Sequence, residues 1–346
     1  MKYIICVISL YLMLIMPVEA FTIAAPSVPP EAADIMPAES LGLADRLQYM
    51  LQQSIHEAQP QVAAGIKLCT GILGITLLFS VLNHVNGRSR QLVELGGVAS
   101  ICMLLFGCTN TMLQLGLQTV QQISQYGSLL LPALTAALAA QGGSVSAAAL
   151  YSATAMFDAV ICKLITALLL PMISIFLVLS AVGAATMDDF LFKLRDLLKQ
   201  LMSWSLKLLL YVFTAFISIS GLISGTADQT AIKAAKLTIS SVVPVVGGIL
   251  SDASESILIG ASIAKNAVGS YGLFGILAVT IIPFITVGVH YLLLKLTATL
   301  SAAFSTKSLS SLLSDFSSAM GLILAMTGSV CLIQLISIVC FLRGLS

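Results

Sequence analysis

The sequence predicts an all-α, polytopic helical membrane protein with an internal tandem repeat containing short re-entrant-like helix hairpins. Three observations predict it. Hydrophobic residues make up 58% of the 346 and charged residues 9%, with a mean hydropathy of +1.03, whereas a soluble chain carries about 25% charge. Apolar runs near the roughly 20 residues needed to cross about 30 Å of hydrocarbon recur along the chain. Two pairs of prolines, Pro132 with Pro171 and Pro244 with Pro283, are each 39 residues apart, and the pairs are offset by 112.

The first twenty residues read as an export signal. Lys2 is a minimal basic region, "YIICVISLYLMLIM" is the apolar region, and "PVEA" ends in small residues, which places cleavage after Ala20. An uncleaved first span is the alternative, and both readings commit the chain to a secretory membrane. Residues 21–60 then form an extracytoplasmic segment. Its Pro-rich first part buries little and reads as a tether, and "SLGLADRLQYMLQQSIHEA" has the spacing of an amphipathic surface helix.

Six crossings follow: 62–82, 95–117, 165–186, 203–224, 272–294 and 319–342. The first two lie in a leading pair over 61–120, and the rest divide into membrane repeat 1 (121–228) and membrane repeat 2 (229–346). No Asp, Glu, Lys or Arg occurs between Glu94 and Asp158, so that stretch holds the second span and an extra apolar segment, "YGSLLLPALTAALAA". The extra segment is too short to cross comfortably and stops at "QGGS". In the second block "LSDASES" plays the same part. Paired short segments around a polar break are the pattern of helical hairpins, and non-helical backbone at membrane depth is tolerated only where protein or a water-filled cavity covers it. Coincidence in a low-diversity apolar alphabet is the alternative to a repeat.

Charge gives part of the topology. With the N-terminus outside, Arg88 and Arg90 and then Lys193, Arg195 and Lys199 fall on the cytoplasmic side, as the positive-inside rule requires. The rule is nearly silent over residues 225–300. A hairpin at Asp252 keeps both repeats in one orientation, whereas a full crossing at 242–264 inverts every later element.

The candidate polar path or partner contacts are the charged and polar residues within these apolar stretches: Asp158, Lys163, Asp228, Lys233, Lys236, Asp252, Glu255, Ser262, Lys265 and Asn266. Asp252 and Glu255 lead a polar stripe with Ser262 and Asn266 at helical spacing, on an otherwise apolar rod that needs water or a polar partner. A local explanation stands beside it: Asp252 and Glu255 are spaced like a capping box at a helix start. Lys233 and Lys236 belong to "GTADQTAIKAAKL", which reads as an amphipathic helix along the membrane surface for partner or lipid contact, or as a solvated connector.

No catalytic constellation, phosphate loop or nucleotide-binding motif is present, and the reading is of a protein that is not an enzyme. The three histidines are far apart and the seven cysteines lie in apolar runs, so no metal, cofactor or disulfide framework is expected. His290, in "GVHYLLL", reads as a packed or interfacial residue. A net charge of +1 without any basic cluster gives no reason to expect nucleic acid.

The stretch "GTADQTAIKAAKLTISSVVPVVGGILSDASESILIGASIAKNAVGSYGL", with "LLLPALTAALAAQGGSVSAAALY" and the signal, resembles the stage III sporulation protein AE family of endospore-forming bacteria. The resemblance runs from about residue 60 to the C-terminus and is most specific in "AIKAAK", "PVVGG" and "SDASES". It implies a multi-pass protein of the mother-cell membrane around the forespore. The implied partners are the other membrane proteins of the stage III sporulation A operon and a forespore channel protein, with the lipid bilayer and, compatibly, further copies of itself. The implied function is that of a subunit of a transenvelope channel or feeding complex for late forespore gene expression. The alternative is a structural scaffold that conducts nothing. The family supplies no catalytic residues.

Overall fold

The computed structural model describes the backbone of residues 26–37, 42–85, 90–140, 144–242 and 247–343. The side chains of 83–85, 90–91, 217–242 and 247–266, and of Glu31, Leu43, Ser146 and Arg343, lie outside that description. The signal at 1–20 lies outside it as well. All regular structure among the described residues is helical: α1 (Pro30–Ala33), α2 (Leu43–Val85), α3 (Arg90–Ala140), α4 (Ser144–Lys163), a π-helical turn (Leu164–Leu169), α5 (Leu170–Thr186), α6 (Asp189–Val242), α7 (Gly247–Ser301) and α8 (Lys307–Arg343).

Five stretches among the described residues are long and apolar enough to cross a membrane: Ala44–Leu82, Leu92–Ala140, Ala147–Thr186, Ala267–Ser301 and Lys307–Leu342. The sixth expected span, 203–224, falls within α6, where side chains from 217 onward are outside the description. These helices are long for the task. At 1.5 Å per residue α3 runs about 76 Å and α7 about 82 Å.

Contacts fix the directions. Beside α7, α2 runs parallel: the Arg46 guanidinium lies 5.4 Å from the Phe274 ring centre, and Ser80 Oγ donates to the Phe304 carbonyl at the far end. In the same way α3 runs parallel to α8, with Phe106 edge-on to Phe316 at 5.3 Å. The α4–α5 run is antiparallel to α8, pairing Thr154 with Ser337 and Ala184 with Ser308. Helix α6 returns parallel to α8, pairing Arg195 with Asp315 and Lys199 with Ser318. The described helices therefore make six passes, alternating in direction. Helices α3, α6 and α8 all start at one end, here named the Lys307 end. Helix α8 touches α3, α4, α5, α6 and α7 and is the most covered of the five crossings, with 61% of its apolar stretch buried against 22% for α2.

Local chemistry explains the breaks. Helix α5 ends at Met187, which takes the left-handed conformation (φ 56°) while its N–H bonds back to the Gly183 carbonyl. Asp188 then caps α6 by accepting the Phe190 N–H at 2.9 Å. The π turn ends at Leu169, two residues before Pro171. In a regular α-helix the Pro171 ring would clash with the carbonyl of Ala167, and the wider turn relieves this.

Three expectations change in detail. "YGSLLLPALTAALAA" is the C-terminal end of α3 and not a separate short segment, with Pro132 inside the helix. One helix ends at Ala140 and the next begins at Ser144, and these two helices are far longer than the arms of a re-entrant hairpin need to be. In the second block, "LSDASES" does not interrupt the backbone: α7 begins at Gly247 and runs through it. Finally, part of the expected tether is packed. Pro30 opens α1, and Ala32 (3% exposed) and Ile35 (0%) are buried, with α1 lying against α7. The amphipathic stretch that follows is continuous with the first span in α2.

Because α3 and α6 both run away from the Lys307 end, the starts of α4 and α7 share the opposite end. Cysteines introduced near residues 143 and 254 of a chain otherwise free of cysteine are expected to react with an impermeant maleimide from the same side of the membrane. Labelling from opposite sides would remove the parallel repeat.

Candidate functional site: buried polar clusters of the bundle

Asp158 is the one predicted site residue whose carboxylate the structure places in detail. It sits on α4, 8% exposed, where α3 and α8 converge. Ser124 Oγ–H of α3 donates to its Oδ2 at 2.5 Å, and Gln334 Nε2–H of α8 donates to its Oδ1 at 3.0 Å. One helical turn earlier on α4, Thr154 Oγ–H donates to Ser337 Oγ at 2.9 Å, and Ser337 in turn donates to the Ile333 carbonyl. Thr154 and Asp158 at i, i+4 meet Gln334 and Ser337 at i, i+3, so two helix faces present matched polar pairs. Each charged or polar group is covered by protein, and the hydrogen bonds meet the requirement that a buried carboxylate be solvated by donors.

The close approach depends on Gly127, one turn beyond Ser124 on α3. A Cβ there would lie 2.5 Å from Gln334 Nε2 and 2.7 Å from its Cδ. Gly127→Ala is therefore expected to push the amide off Asp158 and to cost about 1.5 to 3 kcal/mol, the value of a hydrogen bond to a charged group. Thermal unfolding of the purified protein in detergent checks this. A Gln334→Ala, Gly127→Ala double variant should lose no more than Gln334→Ala alone.

A second cluster lies toward the Lys307 end. Arg195 of α6 has a side chain only 11% exposed and donates through Nη1 to Asp315 Oδ2 of α8 at 2.6 Å and to Ser311 Oγ at 3.1 Å. Its Nε and Nη2 reach Asp196 Oδ1 at 3.0 and 2.9 Å, and its guanidinium lies 5.0 Å from the Phe192 ring centre. Lys199 Nζ donates to Ser318 Oγ at 2.8 Å. Asp315 and Gln334 are separated by about 28 Å of α8, close to the thickness of a hydrocarbon layer. Between them α8 buries Met320, Ile323, Met326 and Val330. Of its hydroxyls there, Ser317 donates to the Tyr291 carbonyl of α7, while Ser318, Thr327 and Ser329 bond to carbonyls of their own helix. Along α8 these apolar residues set the two clusters apart.

The other predicted residues fall differently. Lys163 is exposed on the last turn of α4, directly before the π turn, and is not part of the Asp158 group. Asp228, Lys233 and Lys236 lie on the distal half of α6, whose backbone runs on unbroken from the span. Asp252, Glu255, Ser262, Lys265 and Asn266 lie on α7. The side chains of these eight residues are outside the described set. Because α7 begins at Gly247, Asp252 and Glu255 lie in its second and third turns, too far in to form the capping box the spacing suggests, and the helical backbone keeps Ser262 and Asn266 in register with them.

Sequence reasoning missed Asp315, Gln334 and Ser124, and it read Arg195 only as a cytoplasmic charge. The signals were present: Gln334 is a lone amide in "CLIQLIS", and Asp315 a lone carboxylate in "SLLSDFSS". His290 is packed as expected: it is 4% exposed, and its Nδ1 lies 2.8 Å from the Thr286 carbonyl, which makes Nδ1 the protonated nitrogen. Among the described residues the six cysteines form no disulfide, and no group of three metal-ligating side chains occurs.

The family described as stage III sporulation protein AE matches residues 39–343. Stage III sporulation protein AE of Bacillus subtilis (strain 168) is 24% identical over 232 residues, covering 66% of this chain and 58% of that protein, so the match spans less than two thirds of the relative's length. No solved structure matches. With the family match running through all of α2 to α8, the chain belongs to the stage III sporulation protein AE family, a sporulation family and not a known enzyme family.

Proposed function

We propose that the chain is a membrane subunit of the transenvelope channel or feeding complex that links mother cell and forespore. In this reading it sits in the mother-cell membrane beside the other membrane proteins of the stage III sporulation A operon, meets a forespore channel protein across the intermembrane space, and supports late forespore gene expression. The observation that carries an assembly role is the length of apolar surface left uncovered. Along the continuous α4–α5 run, Val145, Tyr151, Val160, Leu168, Ile175 and Val182 are all exposed. They extend over about 55 Å of helix, against about 30 Å of hydrocarbon. Tilt takes up part of the excess, and other subunits supply the remaining cover.

A contribution to a transport path rests on the stripe led by Asp252 and Glu255. A scaffold without conduction is the second reading, and the Asp158 group favours it, because a carboxylate sealed by Ser124 and Gln334 is structural glue and not a wet lining. The α7 pair separates the two. A double variant, Asp252→Asn with Glu255→Gln, keeps side-chain size and hydrogen-bonding groups while removing both charges. If the pair lines a path, it is expected to leave membrane level unchanged and to lower sporulation efficiency. Normal sporulation at normal level removes the pair from a transport path, and co-purification of the complex from sporulating cells with imaging of its axis then tests the scaffold.

A further inference from the structure

At the Lys307 end a cavity of about 710 Å³ opens between the start of α3, the α5–α6 connection and the start of α8. Its wall holds Glu94, Asp189, Arg195, Thr306, Lys307 and Ser311, with Met187 and Phe192 as its apolar part. Glu94 is only 6% exposed, and among the described residues its Oε1 has no hydrogen-bond partner; the Thr306 hydroxyl in the same wall has none there either. A buried carboxylate oxygen left unpaired is costly, and native proteins rarely keep one without a ligand, water or partner to meet it.

The cations already in the wall do not serve Glu94. Arg195 is committed to Asp315, Asp196 and Ser311. Lys307 is exposed and forms no ion pair among the described residues. Asp189, exposed in the first turn of α6, adds a second carboxylate. We propose that this cavity is a binding site for an organic cation, an alkylammonium or guanidinium group, with Glu94 as its buried counter-charge and the Thr306 hydroxyl as a further acceptor. The size of the cavity and the apolar surface of Met187 and Phe192 suit the stem of such a group better than a bare ion, and no group of three metal-ligating side chains occurs among the described residues. The group can arrive as a free small amine or as a Lys or Arg side chain of a partner. The inference does not depend on the channel reading.

The test uses the full chain in lipid nanodiscs and n-butylguanidinium as the probe, titrated by calorimetry. Saturable binding is expected, weakened at least tenfold by Glu94→Gln and unchanged by Glu57→Gln, an exposed carboxylate on α2 far from the cavity. Should Glu94→Gln fail to accumulate, Asp189→Asn is the second variant and is expected to weaken binding severalfold. No binding by the parent chain, or binding indifferent to both variants, overturns the proposal. So does binding that appears only after Arg88 and Arg90, which precede Glu94 in the sequence, are replaced by Gln, because the site then belongs to the chain's own arginines. A photo-crosslinker at Met187 in sporulating cells distinguishes the sources. Adducts mapping beside a Lys or Arg of another protein assign the partner side chain, and probe binding without such adducts assigns a free amine.

Discussion

Asp315→Ala is expected to destabilise the protein by about 3 to 5 kcal/mol, the cost of leaving one member of a buried ion pair without its counter-charge. Arg195 cannot escape to water, because its side chain is 11% exposed and Asp315 only 9%. The loss should fall toward the lower figure, since Asp196 still accepts from Nε and Nη2. Asp196 itself is 67% exposed, and an exposed pair is worth about 0 to 1 kcal/mol, so Asp196→Ala should cost no more than that. Replacing both buried partners, Arg195→Met with Asp315→Leu, should recover most of the loss, because an apolar pair avoids the desolvation of two charges. Thermal unfolding in detergent, read by circular dichroism, orders the three variants. Equal losses for Asp315→Ala and Asp196→Ala would mean that α6 and α8 do not meet as described.

The sequence made the helices legible because crossing a bilayer leaves few alternatives: every backbone polar group has to be satisfied within the segment. It also marked where the arms part after Ala140, where two glycines follow an alanine-rich run. It misjudged "LSDASES" for a physical reason. Ser, Asp and Glu cost a helix interior only tenths of a kcal/mol each, and the flanking apolar stretches of α7 carry the helix through them. Tertiary partners were beyond its reach. Arg195 and Asp315 are far apart in the chain, and nothing local to "FKLRDLLKQ" distinguishes the buried arginine from its exposed neighbour Lys193. One hint was stronger than it looked. The charge-free stretch is bounded by Glu94 and Asp158, and both of those carboxylates prove to be buried.

Asp158 yields the other large effect and a direct test of what a buried carboxylate does in this bundle. Asp158→Leu would leave the Ser124 hydroxyl and the Gln334 amide facing a hydrocarbon side chain. At about 1 to 3 kcal/mol for each unsatisfied group, the loss should reach several kcal/mol and show as reduced membrane level. Asp158→Asn should behave quite differently. The Gln334 amide can still donate to Asn Oδ1, and the Ser124 hydroxyl can turn to accept from Asn Nδ2, so both neighbours stay satisfied without a buried charge. Its stability should lie within about 1 kcal/mol of the parent, because a lost charge-assisted bond is offset by a lost desolvation cost. In an endospore-forming host carrying the chain as its sole copy, Asp158→Asn should then give normal sporulation, while Asp158→Leu fails in proportion to its protein level. A chain with Asn at 158, present at normal level yet unable to support sporulation, would return this carboxylate to a transport path and show that the seal formed by Ser124 and Gln334 opens during function.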